Sequence, residues 1–229
     1  MSTSNPYAYS PAAEAPVAER AVFLQKTYAL LLAGIFVFAG TLWAVPNVPV
    51  VGELAARLWS NRWIPLVVLF GAAFLVHAVA EKRPINLVVY FAYAFLFGLI
   101  LAPLVLITAS GPGGAAVLTQ ASIVTAMVFT GLTGYVFLSK RDFSFLGGAL
   151  AIGLFALIGI GLAGMIFGFE AGLWYSVAGV VLFSGYVLYD TSRILHHYPT
   201  TAHVSAAIVL FVDVVLLFKH LLILLSNRD

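Results

Sequence analysis

The chain has no cysteine, which excludes disulfides, thiolate nucleophiles and cysteine-ligated metals. Charge is nearly as scarce: Asp, Glu, Lys and Arg make up 9% of the 229 residues, against about 25% in an ordinary soluble domain. The net charge is only +2 and the basic residues are scattered among connecting segments, which gives no footing for a nucleic-acid partner. A phosphate-binding glycine loop, an HExxH pair and a Ser/His/Asp set are likewise missing, and the chain is expected not to be an enzyme. What fills the sequence is apolar: 62% of residues are hydrophobic and the mean hydropathy is +1.06. A globule of this length leaves too much of its surface wet to hide so much apolar area. The chain therefore reads as a polytopic membrane protein, with the lipid bilayer as its first partner.

Residues 1–25 are rich in Ser, Pro, Ala and Glu and read as a mobile N-terminal tail; residues 26–229 read as one transmembrane domain. The first apolar run lacks a small-x-small cleavage site and is taken as a retained helix. Seven spans are expected, each near the ~20 residues that cross the hydrocarbon: 27–45, 62–80, 86–108, 115–138, 144–168, 172–195 and 203–226. Between the first two, 46–61 has the pattern of a short interfacial helix, with Val51, Leu54, Leu58 and Trp59 on one side and Glu53 and Arg57 off it. Arg20, Lys26, Lys82, Arg83, Lys140, Arg141 and Arg193 fall on one side of this topology, Arg57, Arg62 and Arg228 on the other. The excess places the N-terminus in the cytoplasm and, after seven spans, the C-terminus outside. In the fifth span Gly164 and Gly168 form a small-xxx-small pair suited to close helix contact, and Pro103 is expected to bend the third span.

Two carboxylates stand inside this apolar background, Asp190 in the sixth span and Asp213 in the seventh. Even the gentlest insertion scale charges roughly 2.5–3.5 kcal/mol for each. Their sequence midpoint falls at the turn around Tyr198-Pro199-Thr200, so an antiparallel pair of helices would bring them to similar depth. Two carboxyls in a poorly hydrated site cannot both ionise cheaply and would share a proton. Losing it leaves adjacent negative charges, relieved by a cation or by separation of the helices. Asp190 and Asp213 are accordingly the candidate pH sensor and cation gate, and part of a weak Ca²⁺ site needing carbonyls or water as well; no resident cofactor is expected. Arg193, three residues after Asp190, could pair with it, and Asp213 could equally serve as interhelical glue. His220 and His77 are candidate modulating residues, and Lys219 is expected to snorkel. Two enzyme-like or pigment readings fail. Lys219 sits about 120° around the helix from Asp213, unlike a retinal Schiff-base lysine and its counter-ion. Tyr189-Asp190 fits half of an intramembrane aspartyl protease, but Leu210-Phe211-Val212-Asp213 lacks the glycines of the other half.

The stretch Leu188-Tyr189-Asp190-Thr191-Ser192-Arg193-Ile194-Leu195-His196 resembles the sixth-helix signature of the Bax-inhibitor membrane family. So do the helix from Ala206 to Leu222, Gly98-Leu99-Ile100-Leu101-Ala102-Pro103, and Ser144-Phe145-Leu146-Gly147-Gly148. The closing Ser226-Asn227-Arg228-Asp229 is similar to the bacterial YccA branch. The resemblance covers nearly everything after residue 27. It implies an all-α bundle of seven helices with the last at the centre, a di-aspartate pH sensor at Asp190 and Asp213, and a slow Ca²⁺ leak. For the YccA branch it implies a bacterial inner membrane and restraint of the membrane AAA protease FtsH. It also implies a basic latch at the inner end of the second helix; the aligned position is near Ala80, so His77, Lys82 or Arg83 would have to serve.

Overall fold

A computed structural model describes residues 11–80, 82, 84–169 and 172–226, with the side chain of His77 excluded. The described chain is helical: α1 (Val17–Asn47), α2 (Pro49–Leu58), α3 (Ile64–Val79), α4 (Ile85–Ser110), α5 (Gly114–Ser139), a 3₁₀ turn (Ser144–Leu146), α6 (Gly147–Phe167), α7 (Gly172–His196) and α8 (His203–Ser226). Six of these are long and apolar enough to cross a membrane. The seventh expected span, α3, has 16 residues; at 1.5 Å per residue it reaches about 24 Å, short of the ~30 Å hydrocarbon core. It still returns the chain from one face to the other, because α1 and α4 run parallel: Gly34 of α1 lies under Tyr90 of α4, and Thr41 under Gly98.

Length and cap chemistry account for the boundaries. Pro49 opens α2 at its first turn, where a missing N–H is harmless. Its Ala55 is buried, while Leu54 and Trp59 stay exposed and Glu53 meets Arg57 at 3.8 Å, as an interfacial helix requires. Gly113 takes a left-handed φ of 66° ahead of α5, and Gly168 one of 73° after α6, which glycine adopts without penalty. Pro103 lies inside α4 without ending it.

α8 sits at the centre. It packs on α1, α4, α5 and α7 and buries Leu210, Phe211, Leu217 and Leu222 completely. Phe211 receives the ring edges of Phe38, Tyr90 and Phe97 at 5.7–6.3 Å between centroids. α6 touches little besides α7, and the fit between them is made by glycines other than the expected pair. Gly147 faces Tyr189, Gly153 faces Leu182 and Gly161 faces the Tyr175 hydroxyl, an antiparallel register of small against large. Gly164 meets only the carbonyl of Phe169 beyond its own helix, and Gly168 is a cap with open space beside it. The Gly164/Gly168 contact is thus corrected: α6 ends there, and among the described residues no other helix packs on the pair.

The N-terminal segment also departs from expectation. α1 begins at Val17, ten residues early, and Ala12 is buried with its N–H donating to the Tyr198 carbonyl at 2.8 Å. The Thr200 hydroxyl reaches the Glu19 carboxylate. Residues 11–25 of the expected tail are therefore folded against the α7–α8 turn, whereas residues 1–10 lie outside the described residues. These contacts define an N-terminal face that holds the start of α1, the α5–α6 link and the α7–α8 turn.

Candidate functional site

The turn between α7 and α8 fixes the depth of the two aspartates. Asp190 lies six residues before the end of α7 and Asp213 ten after the start of α8. In the antiparallel pair their carboxyl groups come within hydrogen-bonding range of each other. Asp190 is 6% exposed and Asp213 3%; Asp213 Oδ2 has no hydrogen-bond partner. Both border a cavity of about 350 Å³ whose other walls come from α3 (Ala73, Val76), α4 (Tyr93), α6 (Leu154), Phe183 and Tyr186 of α7, and the 208–216 face of α8. The two carboxyl groups thus share a partly open pocket that is otherwise largely apolar. α3 contributes one wall of this cavity through Ala73 and Val76, and it packs chiefly on α4.

The other candidates scatter around this pair. Arg193 makes no ion pair with Asp190 among the described residues; its guanidinium lies over the rings of Tyr189 at 5.3 Å and Tyr198 at 5.8 Å, near enough for its charge to act on Asp190. His220 is on the α7-facing side of α8 but outside the cavity. It is 1% exposed, stacks on Phe183 at 5.6 Å, fills the space over Gly179, and leaves Nδ1 without a partner. Lys219 is half-buried. Lys82 is exposed in the α3–α4 link, while Arg83 and the side chain of His77 lie outside the described residues. The link itself is pinned by buried Asn86, whose Nδ2 donates to the Ala80 carbonyl at 3.0 Å.

A second cluster stands outside the expectations drawn from sequence. Asp142, on the α5–α6 link, accepts the Ser144 N–H at 2.8 Å and the Ser192 hydroxyl at 3.2 Å, and meets His197 Nε2 at 3.0 Å. The Phe143 N–H donates to the Ser192 Oγ at 2.8 Å. Partial burial would raise the Asp142 pKa, but the hydrogen bonds from Ser144, His197 and Ser192 outweigh it and pull the carboxyl down to about 2. The carboxylate therefore staples the α5–α6 link to the last turn of α7, two residues from Asp190. Asp142-Phe143-Ser144 is an Asx-turn pattern legible locally; its long-range partners Ser192 and His197 are not.

Comparison with known proteins agrees with this architecture. The family model described as "Inhibitor of apoptosis-promoting Bax1" matches residues 20–229. The chain is 33% identical to Bax inhibitor 1 of Schizosaccharomyces pombe over 96% of this chain and 83% of that protein. It is 33% identical to protein lifeguard 4 of Mus musculus, covering 92% and 87% of the two chains. A membrane protein of Vibrio cholerae is 36% identical over 69% of this chain and 73% of its own. With apolar helices enough to cross a bilayer several times and a family match over nearly its whole length, the chain is a multi-pass membrane protein and belongs to the Bax inhibitor family.

Proposed function

We propose that this protein mediates a pH-sensitive leak of cations, Ca²⁺ foremost, gated by Asp190 and Asp213. The observation that carries the reading is the meeting of two buried carboxyls beside a cavity of about 350 Å³. Sharing one proton, the pair holds α7 and α8 together; stripped of it, two negative charges face each other in a poorly hydrated space and attract a hard cation or drive the walls apart. Among the described residues no third His, Cys, Asp or Glu joins them, so a passing Ca²⁺ would complete its shell from carbonyls and water. That composition suits transient passage better than tight storage. Arg193, held over two tyrosine rings, supplies a positive charge close to the N-terminal side of the pair.

The test is Ca²⁺ flux into proteoliposomes from pH 5 to 8. Wild type is expected to conduct with a pH dependence that Asp190→Asn and Asp213→Asn each flatten. Flux indistinguishable from empty liposomes at every pH would overturn the leak and leave modulation of a membrane AAA protease such as FtsH, read out by its co-purification, as the reading to pursue.

A further inference from the structure

The end of α7 that carries Asp190 is also held from outside the pair, by the α5–α6 link. Ser192, two residues further along and fully buried, donates its hydroxyl to Asp142 Oδ1 at 3.2 Å and accepts the Phe143 N–H at 2.8 Å. His197, just past the helix, meets Asp142 Oδ2 at 3.0 Å. One carboxylate thus spans the last turn of α7 and the turn into α8. Geometry ties this staple to the dyad. α5 packs on both α7 and α8, so α7 drawing away from α8 at this end must slide against the link that α5 carries. The turn has little slack to absorb such a movement, because the Tyr198 carbonyl accepts the Ala12 N–H at 2.8 Å and Thr200 is bonded to Glu19. Separating Asp190 from Asp213 therefore pulls Ser192 and His197 off Asp142.

The staple also carries charge. Against the pull of its partial burial, hydrogen bonds hold the Asp142 carboxyl down to about 2, so it stays ionised across the neutral range. Histidine is the side chain that gains or loses its proton between pH 5 and 8. Neutral, His197 offers Asp142 a hydrogen bond; protonated, it offers an ion pair as well. Neighbouring elements bring Lys140 and Arg141 on the link, Arg193 and His196 on α7, Glu19 and Arg20 on α1 and His203 on α8 to the same end. His196 bonds the Ser192 carbonyl, Arg193 lies over two tyrosine rings and Glu19 takes the Thr200 hydroxyl. Among the described residues, Asp142 is the carboxylate that meets His197.

We infer that Asp142 and His197 form a proton-responsive lock on the dyad, favouring the joined arrangement of α7 and α8 once His197 is charged. The inference rests on the reading of Asp190 and Asp213 as a gate, and adds to it a sensor of pH at the N-terminal face, separate from the pocket. Both elements close the gate as protons are taken up. The lock differs in sign from a plain electrostatic field, since a cation near Asp190 would favour its ionised form and hence separation. Both partners of the pair are substantially exposed, so the effect has the size of a surface ion pair.

The experiment uses the full chain in liposomes, with exposed His197 replaced by Gln, which never charges, or by Arg, which always does. Hydrogen exchange of the α5–α6 link and the α7 end, corrected for intrinsic rate, reads the staple. Protection in wild type should rise as pH falls from 8 to 5, stay low in His197→Gln and stay high in His197→Arg. Ca²⁺ flux reads the gate: near pH 6 it should be up to about fivefold higher in His197→Gln, and no higher than wild type in His197→Arg. Protection indifferent to either substitution, or flux lowered by His197→Gln as a plain field demands, would overturn the lock. The expected protection with no flux in any variant would support the lock and overturn the leak instead.

Discussion

Single side chains in this protein act mostly by joining segments far apart in sequence, and Asp142 shows how. Its carboxylate holds two hydroxyl or amide donors and a histidine from across the N-terminal face. Since its folded pKa is depressed to about 2, against about 3.9 in an unfolded chain, its contribution to stability is present above pH ~4 and is lost as pH falls toward 2. Asp142→Asn should therefore melt below wild type at neutral pH, with the gap closing between pH ~4 and 2 and no restoration at high pH. Circular dichroism melts in detergent check this, and a gap that persists at pH 2 would place the effect elsewhere. Because Asp142 and His197 are both substantially solvent-exposed, the effect should be smaller than that of a core substitution. Asp190 and Asp213 stand out in the sequence because charge in an apolar helix is rare; Asp142, in a polar link, offers no such contrast.

Helices fit one another here through glycines set against large side chains. Gly34 lets the Tyr90 ring cross α1 and donate to the Leu30 carbonyl at 2.9 Å. A methyl group at Gly34 would occupy the tyrosine hydroxyl's place, so Gly34→Ala should cost about 1–3 kcal/mol through overpacking and the lost hydrogen bond. Gly34→Ala with Tyr90→Phe should recover little, because the ring carbons are also in the way; thermal unfolding of both variants decides. α3 is the opposite case. With 16 residues and contacts chiefly to α4, it should exchange its amide hydrogens faster than the central α8, and protection equal to that of α8 would contradict this. Spans of 20 or more apolar residues are legible from hydropathy alone. The short α3 looks longer in sequence because Arg62 and Trp63 adjoin an apolar run, yet Trp63 falls in the turn before the helix while Arg62 donates to the Met165 carbonyl at 3.1 Å. Which glycines serve packing depends on the direction each faces, and spacing cannot supply that: Gly164 and Gly168 have the right interval at the wrong end of α6.

The meeting of Asp190 and Asp213 follows from one arithmetic property of an antiparallel pair, symmetry about its turn, and so is accessible from residue numbers alone. A cavity of about 410 Å³ between α1 and α5 is not, because it exists only where two helices that each pack on α8 fail to close on one another. Orientation in the membrane rests on a similar global sum. Arg20, Lys26, Lys82, Lys140, Arg141 and Arg193 lie toward the N-terminal face, which the α5–α6 link and α7–α8 turn share. Toward the other face the described links carry Arg57 and Arg62. By the positive-inside bias, that imbalance predicts an N-terminal face turned toward the cytoplasm. A chain without cysteine allows the orientation to be read with one introduced thiol at a time. Arg57→Cys, exposed beside the interfacial helix, should react with a membrane-impermeant maleimide on intact bacterial cells. Lys82→Cys, exposed in the α3–α4 link, should react only after the membrane is opened. The reverse pattern would invert the protein, setting the Asp142 staple in the pH of the exterior rather than that of the cytoplasm.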